Sequence, residues 1–164
     1  MPLFIKGLAL QVKLKNVKHN SFENNMQDQT QMELLEQIKL SNGLTLKIFD
    51  LSRAIATKTV KVELSMQIKI NLEKSYFDTA YDYDQVRNIF GEELTYDHKA
   101  ERIIVPKENE DAVREELINT FKNNLLNYIS SANFAQKLAL AMLRDIKKNP
   151  YKYHPHIYAD AKEQ

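Results

Sequence analysis

Between Val60 and Leu72 the sequence VKVELSMQIKINL alternates without a miss. Val60, Val62, Leu64, Met66, Ile68, Ile70 and Leu72 hold one parity; Lys61, Glu63, Ser65, Gln67, Lys69 and Asn71 hold the other. Successive side chains of a strand point to opposite faces, so a period of two predicts one long β-strand with an apolar and a polar face. Such a strand would run about 43 Å at about 3.3 Å per residue, longer than usual, which predicts a bend, a bulge or two partners along its span. One polar face suits an antiparallel sheet covered on one side only. The strand is also a candidate edge, open to a strand from a partner.

Other elements arrange themselves around it. LALQVKL at 8–14 alternates too, and KHNSFENNMQDQTQ after it is polar and aperiodic, a linker. Met26 and Met32 offer later start points, which would make residues 1–31 a dispensable extension; the strand-like alternation speaks against that. In EQIKLSNGLTLKIF the turn signal is Ser41-Asn42-Gly43. A two-residue Asn-Gly turn would set Leu40 opposite Thr45 and mix apolar with polar on each face. A three-residue loop sets Leu40 opposite Leu44 and Ile38 opposite Leu46, with Gly43 in the left-handed position, and this hairpin is the one predicted. DLSRAIA at 50–56 reads as a connector.

Asp84 is a candidate cap for a short helix over 85–90, ended by Gly91. ELTYDHKAERIIVP predicts a second hairpin, strands near 93–97 and 101–105, closed by Pro106. Two helices complete the chain. Val113, Leu117, Phe121, Leu125 and Tyr128 stripe 110–129, capped by Asn109, with Glu110 and Asp111 suiting the first turn. Ala135, Leu138, Met142 and Ile146 stripe the next, capped by Ser131, with Lys147 and Lys148 in its last turn and Asn149-Pro150 as the stop. Two residues between them predict a helical hairpin. The expected architecture is α+β: a mostly antiparallel sheet of five or six strands, one face covered by the two C-terminal amphipathic helices. Residues 32–148 form one domain, and 149–164 a tail.

Composition narrows the function. The chain of 164 residues has 43% hydrophobic and 27% charged residues, an ordinary globular balance. It has no cysteine, which excludes disulfides, thiolate nucleophiles and cysteine-built zinc sites and favours an intracellular, cytoplasmic place. No apolar run reaches the roughly 18 residues that span a bilayer, so no membrane partner is expected. The three glycines, Gly7, Gly43 and Gly91, are far apart, so no phosphate-cradling loop and no serine-nucleophile elbow can form.

Charge is segregated under a net of +1. Residues 76–97 carry Asp78, Asp82, Asp84, Glu92, Glu93 and Asp97 against Arg87; residues 137–152 carry Lys137, Arg144, Lys147, Lys148 and Lys152 against Asp145. Solvated surface explains most of this. Asp78, Asp82 and Asp84 match no calcium-loop spacing, and caps explain them more simply than a metal. His154 and His156, flanking Pro155, could pinch a metal with Asp160, but without recurrent ligand spacing no metal site is assigned. His98 beside Asp97 has the residue types of an acid–base pair, yet neighbours on a turn point apart, and no catalytic residue is assigned.

Two surfaces remain. Lysines with tyrosines can hold single-stranded nucleic acid, by phosphate neutralisation and base stacking. Tyrosine-rich segments, SYFDTAYDYD and YKYHPHIY, have the residue type enriched at protein interfaces. The candidate binding residues are Tyr81, Tyr83, Lys147, Lys148, Tyr151, Lys152, Tyr153, His154 and His156. The leading expectation is a small soluble non-enzymatic binding or protein-interaction module, self-association included, without a cofactor. Nucleic-acid binding through the basic, aromatic C-terminus comes second, and a metal-dependent enzyme using the acidic stretch or the histidine pair third.

Overall fold

The computed structural model describes residues 32–154. The strand expected at 8–14 lies outside them, as do His156 and Asp160. The described chain is α+β, with a five-stranded antiparallel sheet.

The alternating segment is strand β4, Thr59–Asn71, and it is the spine of the sheet. Strand β5, Glu93–Pro106, pairs with it along its whole length. On the opposite edge, β2 (Thr45–Asp50) pairs with Leu64 to Ile68, and β3 (Arg53–Ala56) with Lys61 to Thr59. Strand β1, Glu33–Lys39, lies outside β2. The bulge expected of so long a strand falls between Val60 and Val62, and two partners do share one edge. The reading of this strand as an open edge is corrected: β4 is paired on both sides. A period of two reports which face is buried and is silent about edges.

The β1–β2 hairpin has the predicted register, Ile38 opposite Leu46. The Leu40 amide donates to the Leu44 carbonyl at 2.8 Å, and Gly43 takes φ 85°. Asn42 explains why this turn is not interchangeable. Its amide donates to the carbonyls of Ile129 and Ser131 at 2.9 and 3.0 Å, and its oxygen accepts from the Leu44 amide at 3.1 Å. The hairpin tip therefore satisfies carbonyls left open where the first long helix ends.

Three expectations need correction. The connector at 50–56 contains β3, whose pairing with the start of β4 outweighs its weak, alanine-containing pattern. Helix α1 spans Ala80–Phe90 and is capped by Thr79, whose hydroxyl accepts from the Asp82 amide at 3.1 Å, upstream of the expected cap Asp84. Its end at Gly91, φ 87°, is as read. The second hairpin does not exist: β5 is continuous through Asp97, His98 and Lys99, which pair with Gln67, Met66 and Ser65. Aspartate and lysine beside a histidine resemble a turn, but a full-length partner strand places a β4 residue opposite each of them and holds the segment extended. The irregularity lies further on, where Ile103 and Ile104 add one residue against β4, and Ile104 takes φ 63°.

Helix α2 spans Glu110–Ile129 and α3 Phe134–Lys148; a final turn, α4, spans Pro150–Tyr153. Neither Asn109 nor Ser131 caps through its side chain; Asn133 precedes α3, and the Ser131 hydroxyl donates to the Tyr128 carbonyl at 2.7 Å. The helical hairpin is not the main packing of either helix: α2 lies on β4 and β5, and α3 against α1.

The apolar parity of β4 is buried. Leu64, Met66, Ile68 and Ile70 form one core with Leu46 and Ile48 of β2, Val86 of α1, Phe121 and Ile129 of α2, and Phe134, Leu138, Met142 and Ile146 of α3. Asp50 shares that face at its end, where Arg114 of α2 approaches it at 2.7 Å. The other face carries a polar lattice. Ser65 donates to Asp97 at 2.6 Å, and Glu63 is ringed by Lys61 at 2.8 Å, Lys99 at 3.6 Å and Arg53 at 3.9 Å. Lys61 holds the Glu63 carboxyl below the usual carboxylate range.

Candidate functional site: a cleft of tyrosine and lysine

The sheet ends and helices meet in a cleft of about 400 Å³, lined by Tyr96, Tyr128, Phe134, Lys137, Leu138, Ala141, Asp145 and Lys152. Each element contributes for a local reason. Tyr96 shares the parity of Leu94 on β5 and so turns under the helices. Tyr128 is the last residue of its helical stripe. Lys137, Leu138, Ala141 and Asp145 recur at three and four residues along α3, one face of a helix. Lys152 arrives on α4, which Pro150 starts from the first-turn position that proline suits.

Aromatic rings form the wall. Phe134 meets Tyr96 and Tyr128 edge to face, each with ring centres 5.4 Å apart. Lys137 Nζ stands 5.7 Å from the centre of the Tyr128 ring. Tyr96 is 3% exposed, and its hydroxyl, closed off from solvent, has no hydrogen-bond partner among the described residues. Burial pushes its pKa up to about 12, so it remains a neutral phenol.

Asp145 organises the C-terminal end. Its Oδ1 accepts from Asn149 at 2.7 Å, and its Oδ2 from Lys152 at 3.1 Å and from the Tyr153 hydroxyl. These donors, Tyr153 first, hold its carboxyl below the usual range. The Tyr153 ring packs edge-on against Phe90 of α1 at 5.7 Å, while Lys152 Nζ lies 4.9 Å from that ring's centre.

The structure thus brings part of the expected surface together and dissolves part of it. Lys152 lines the cleft and Tyr153 stands beside it. Lys147 instead binds Asp82 of α1 at 2.8 Å, so the acidic and basic segments meet each other. Tyr83 is core, edge-on to Phe77 at 6.1 Å with Lys74 over its ring. Tyr81 and Tyr151 are each 69% exposed, and Lys148 is exposed. His154 is half-buried at the end of α4.

With Lys147 and Lys152 both carrying acidic partners, the basic C-terminus has less charge to offer phosphates than its composition suggested. His98 and Asp97 leave β5 on opposite faces. His98 lies 5.2 Å from the Phe121 ring, and burial lowers its pKa, while Asp97 binds Ser65. Among the described residues, no three histidine or carboxylate groups are placed to hold a metal ion. No described helix is long and apolar enough to cross a membrane.

Sequence reading missed the cleft as a unit. Tyr96, Phe134 and Asp145 lie on three elements, and nothing in their local spacing joins them. The available signal was the parity of Tyr96 with Leu94, which marks a large aromatic with a hydroxyl on a buried face. Comparison with protein-family models, curated proteins and solved structures gives no match for the chain.

Proposed function

We propose that this protein is a non-catalytic binding module, and that its cleft between β5, α2, α3 and α4 takes a side chain of a partner protein. The observation that carries this reading is the cleft itself. At about 400 Å³ it is of the size that holds a ligand group, and its lining combines aromatic and aliphatic side chains with the charged Lys137, Asp145 and Lys152. Tyrosine is enriched at such anchoring sites because it buries much area with few torsions. The cleft's lining has no paired nucleophile and base, and its one carboxylate is engaged by three donors. That chemistry suits recognition better than turnover.

The test is site-directed photo-crosslinking in the cell of origin. A benzophenone amino acid at Lys137 should give a discrete adduct that disappears when Ala141→Phe fills the cleft. The same probe at Glu115, exposed on α2, should give none. An identical adduct pattern from both positions, unaffected by Ala141→Phe, would refute the assignment.

A further inference from the structure

We propose that the free edge of β3 is a docking surface whose occupant is residues 8–14 of the same chain, added to the sheet as a further strand. None of the residues involved lines the cleft, so the inference is independent of the reading above.

Among the described residues, six large aliphatic side chains are exposed, and four of them sit together. Met32, Leu34 and Leu35, between 37% and 47% exposed, lie at the start of β1; Ile55, 47% exposed, lies in β3. The register joins them. Glu33 stands opposite Asp50 and Leu34 opposite Phe49, so β1 starts beside the end of β2. The Leu51 amide then donates to the Glu63 carbonyl at 2.8 Å, which carries the pairing along β4 from β2 to β3. The outer edge of β3 therefore continues the line of β1.

That edge is open. All four residues of β3 are exposed, and among the described residues no strand pairs with its outer side. Edge strands are usually protected by charge or proline, and Ala54, Ile55 and Ala56 bring neither.

The occupant follows from the chain that leads to this point. Residues 1–31 reach the sheet at Met32, beside the open edge. They contain one strand pattern: Leu8, Leu10, Val12 and Leu14 alternate with Ala9, Gln11 and Lys13, an apolar face that needs burial. Residues 15–31 span about 55 Å when fully extended, ample for a return to β3. A tethered strand meets the edge at an effective concentration on the order of millimolar, which favours it over a second copy or a free partner. Strand addition gives the outward amides and carbonyls of β3 main-chain partners, and the aliphatic parity covers Ile55 and the apolar start of β1. Residues 8–14 then belong to the sheet, and a chain begun at Met26 or Met32 would leave this edge in water.

The experiment uses the full-length chain, which has no cysteine, so a nitroxide at Gln11→Cys is its sole label. In NMR of isotope-labelled protein, amide broadening should be strongest at 32–35 and 53–56. A mixture with the nitroxide on one chain and the isotope on another should show none there. Val12→Asp, on the apolar parity, should speed hydrogen exchange of the 53–56 amides that do not bond to β4 about tenfold or more, while β4 amides bonded to β5 stay protected. Lys13→Asp, on the opposite parity, should leave that exchange within about twofold of the native chain. Broadening that misses 32–35 and 53–56 would overturn the proposal, as would equal exchange in the two variants. Broadening that arises only between chains gives the edge to a second copy and overturns it as well.

Discussion

At Ile104 a β-branched side chain stands on a left-handed backbone, φ 63°, and is 74% exposed. That conformation costs a non-glycine residue about 1–2 kcal/mol, and little packing is regained at so exposed a position. Asparagine tolerates it better. Ile104→Asn should therefore raise stability by about 0.5–1 kcal/mol in urea titration, and a loss of that size would mean Ile104 makes contacts the structure does not contain. Gly43 is the converse. No atom of the described residues lies within 4 Å of a Cβ built there, yet its φ is 85°, so Gly43→Ala should cost about 1 kcal/mol through the backbone alone. His98 carries a pH signature. Burial depresses its folded-state pKa below the ordinary value near 6.5, so the unfolded chain binds the proton more readily. Its contribution is complete above that value and is lost as pH falls from there toward the folded pKa. His98→Leu should flatten stability between about pH 7.5 and 5.5 relative to the native chain; an unchanged slope would place the imidazole in water.

At the scale of elements, the alternating strand, the three-residue hairpin and the two long helices were legible in sequence, each because its signal is local. Leu40, Gly43 and Leu46 settle the turn among themselves by shared face and backbone sign. What was illegible depended on partners remote in sequence. Asp97-His98-Lys99 resembles a turn until Gln67, Met66 and Ser65 are there to pair with it. Arg53–Ala56 resembles a connector until Lys61 and Val60 run beside it. The choice of Thr79 over Asp84 as cap is another such case, because α1 must start early enough for Tyr83 and Val86 to reach the core. Continuity of β5 has a direct readout in amide exchange. Amides of 97–101 that face β4 should be protected as strongly as those of 94–96, whereas a hairpin tip would exchange within minutes.

At the scale of the whole molecule, two charge-segregated, tyrosine-rich segments that look like separate partner surfaces are packed on each other. Lys147 meets Asp82, and Tyr153 meets Phe90. The surface we propose for recognition is the cleft lined by Tyr96, Tyr128 and Phe134, bounded by elements that only the tertiary fold assembles. That fold rests on β4 presenting one face to α1, α2 and α3 and the other to a polar lattice. A scan of single alanine substitutions from Val60 to Asn71, each measured by urea unfolding, tests this most directly. Leu64, Met66, Ile68 and Ile70 should each cost about 2–5 kcal/mol, while exposed Lys69 and Asn71 should cost less than about 0.5 kcal/mol. A profile that is flat along the strand, or that repeats every three to four residues, would contradict the one-sided sheet and with it the cleft.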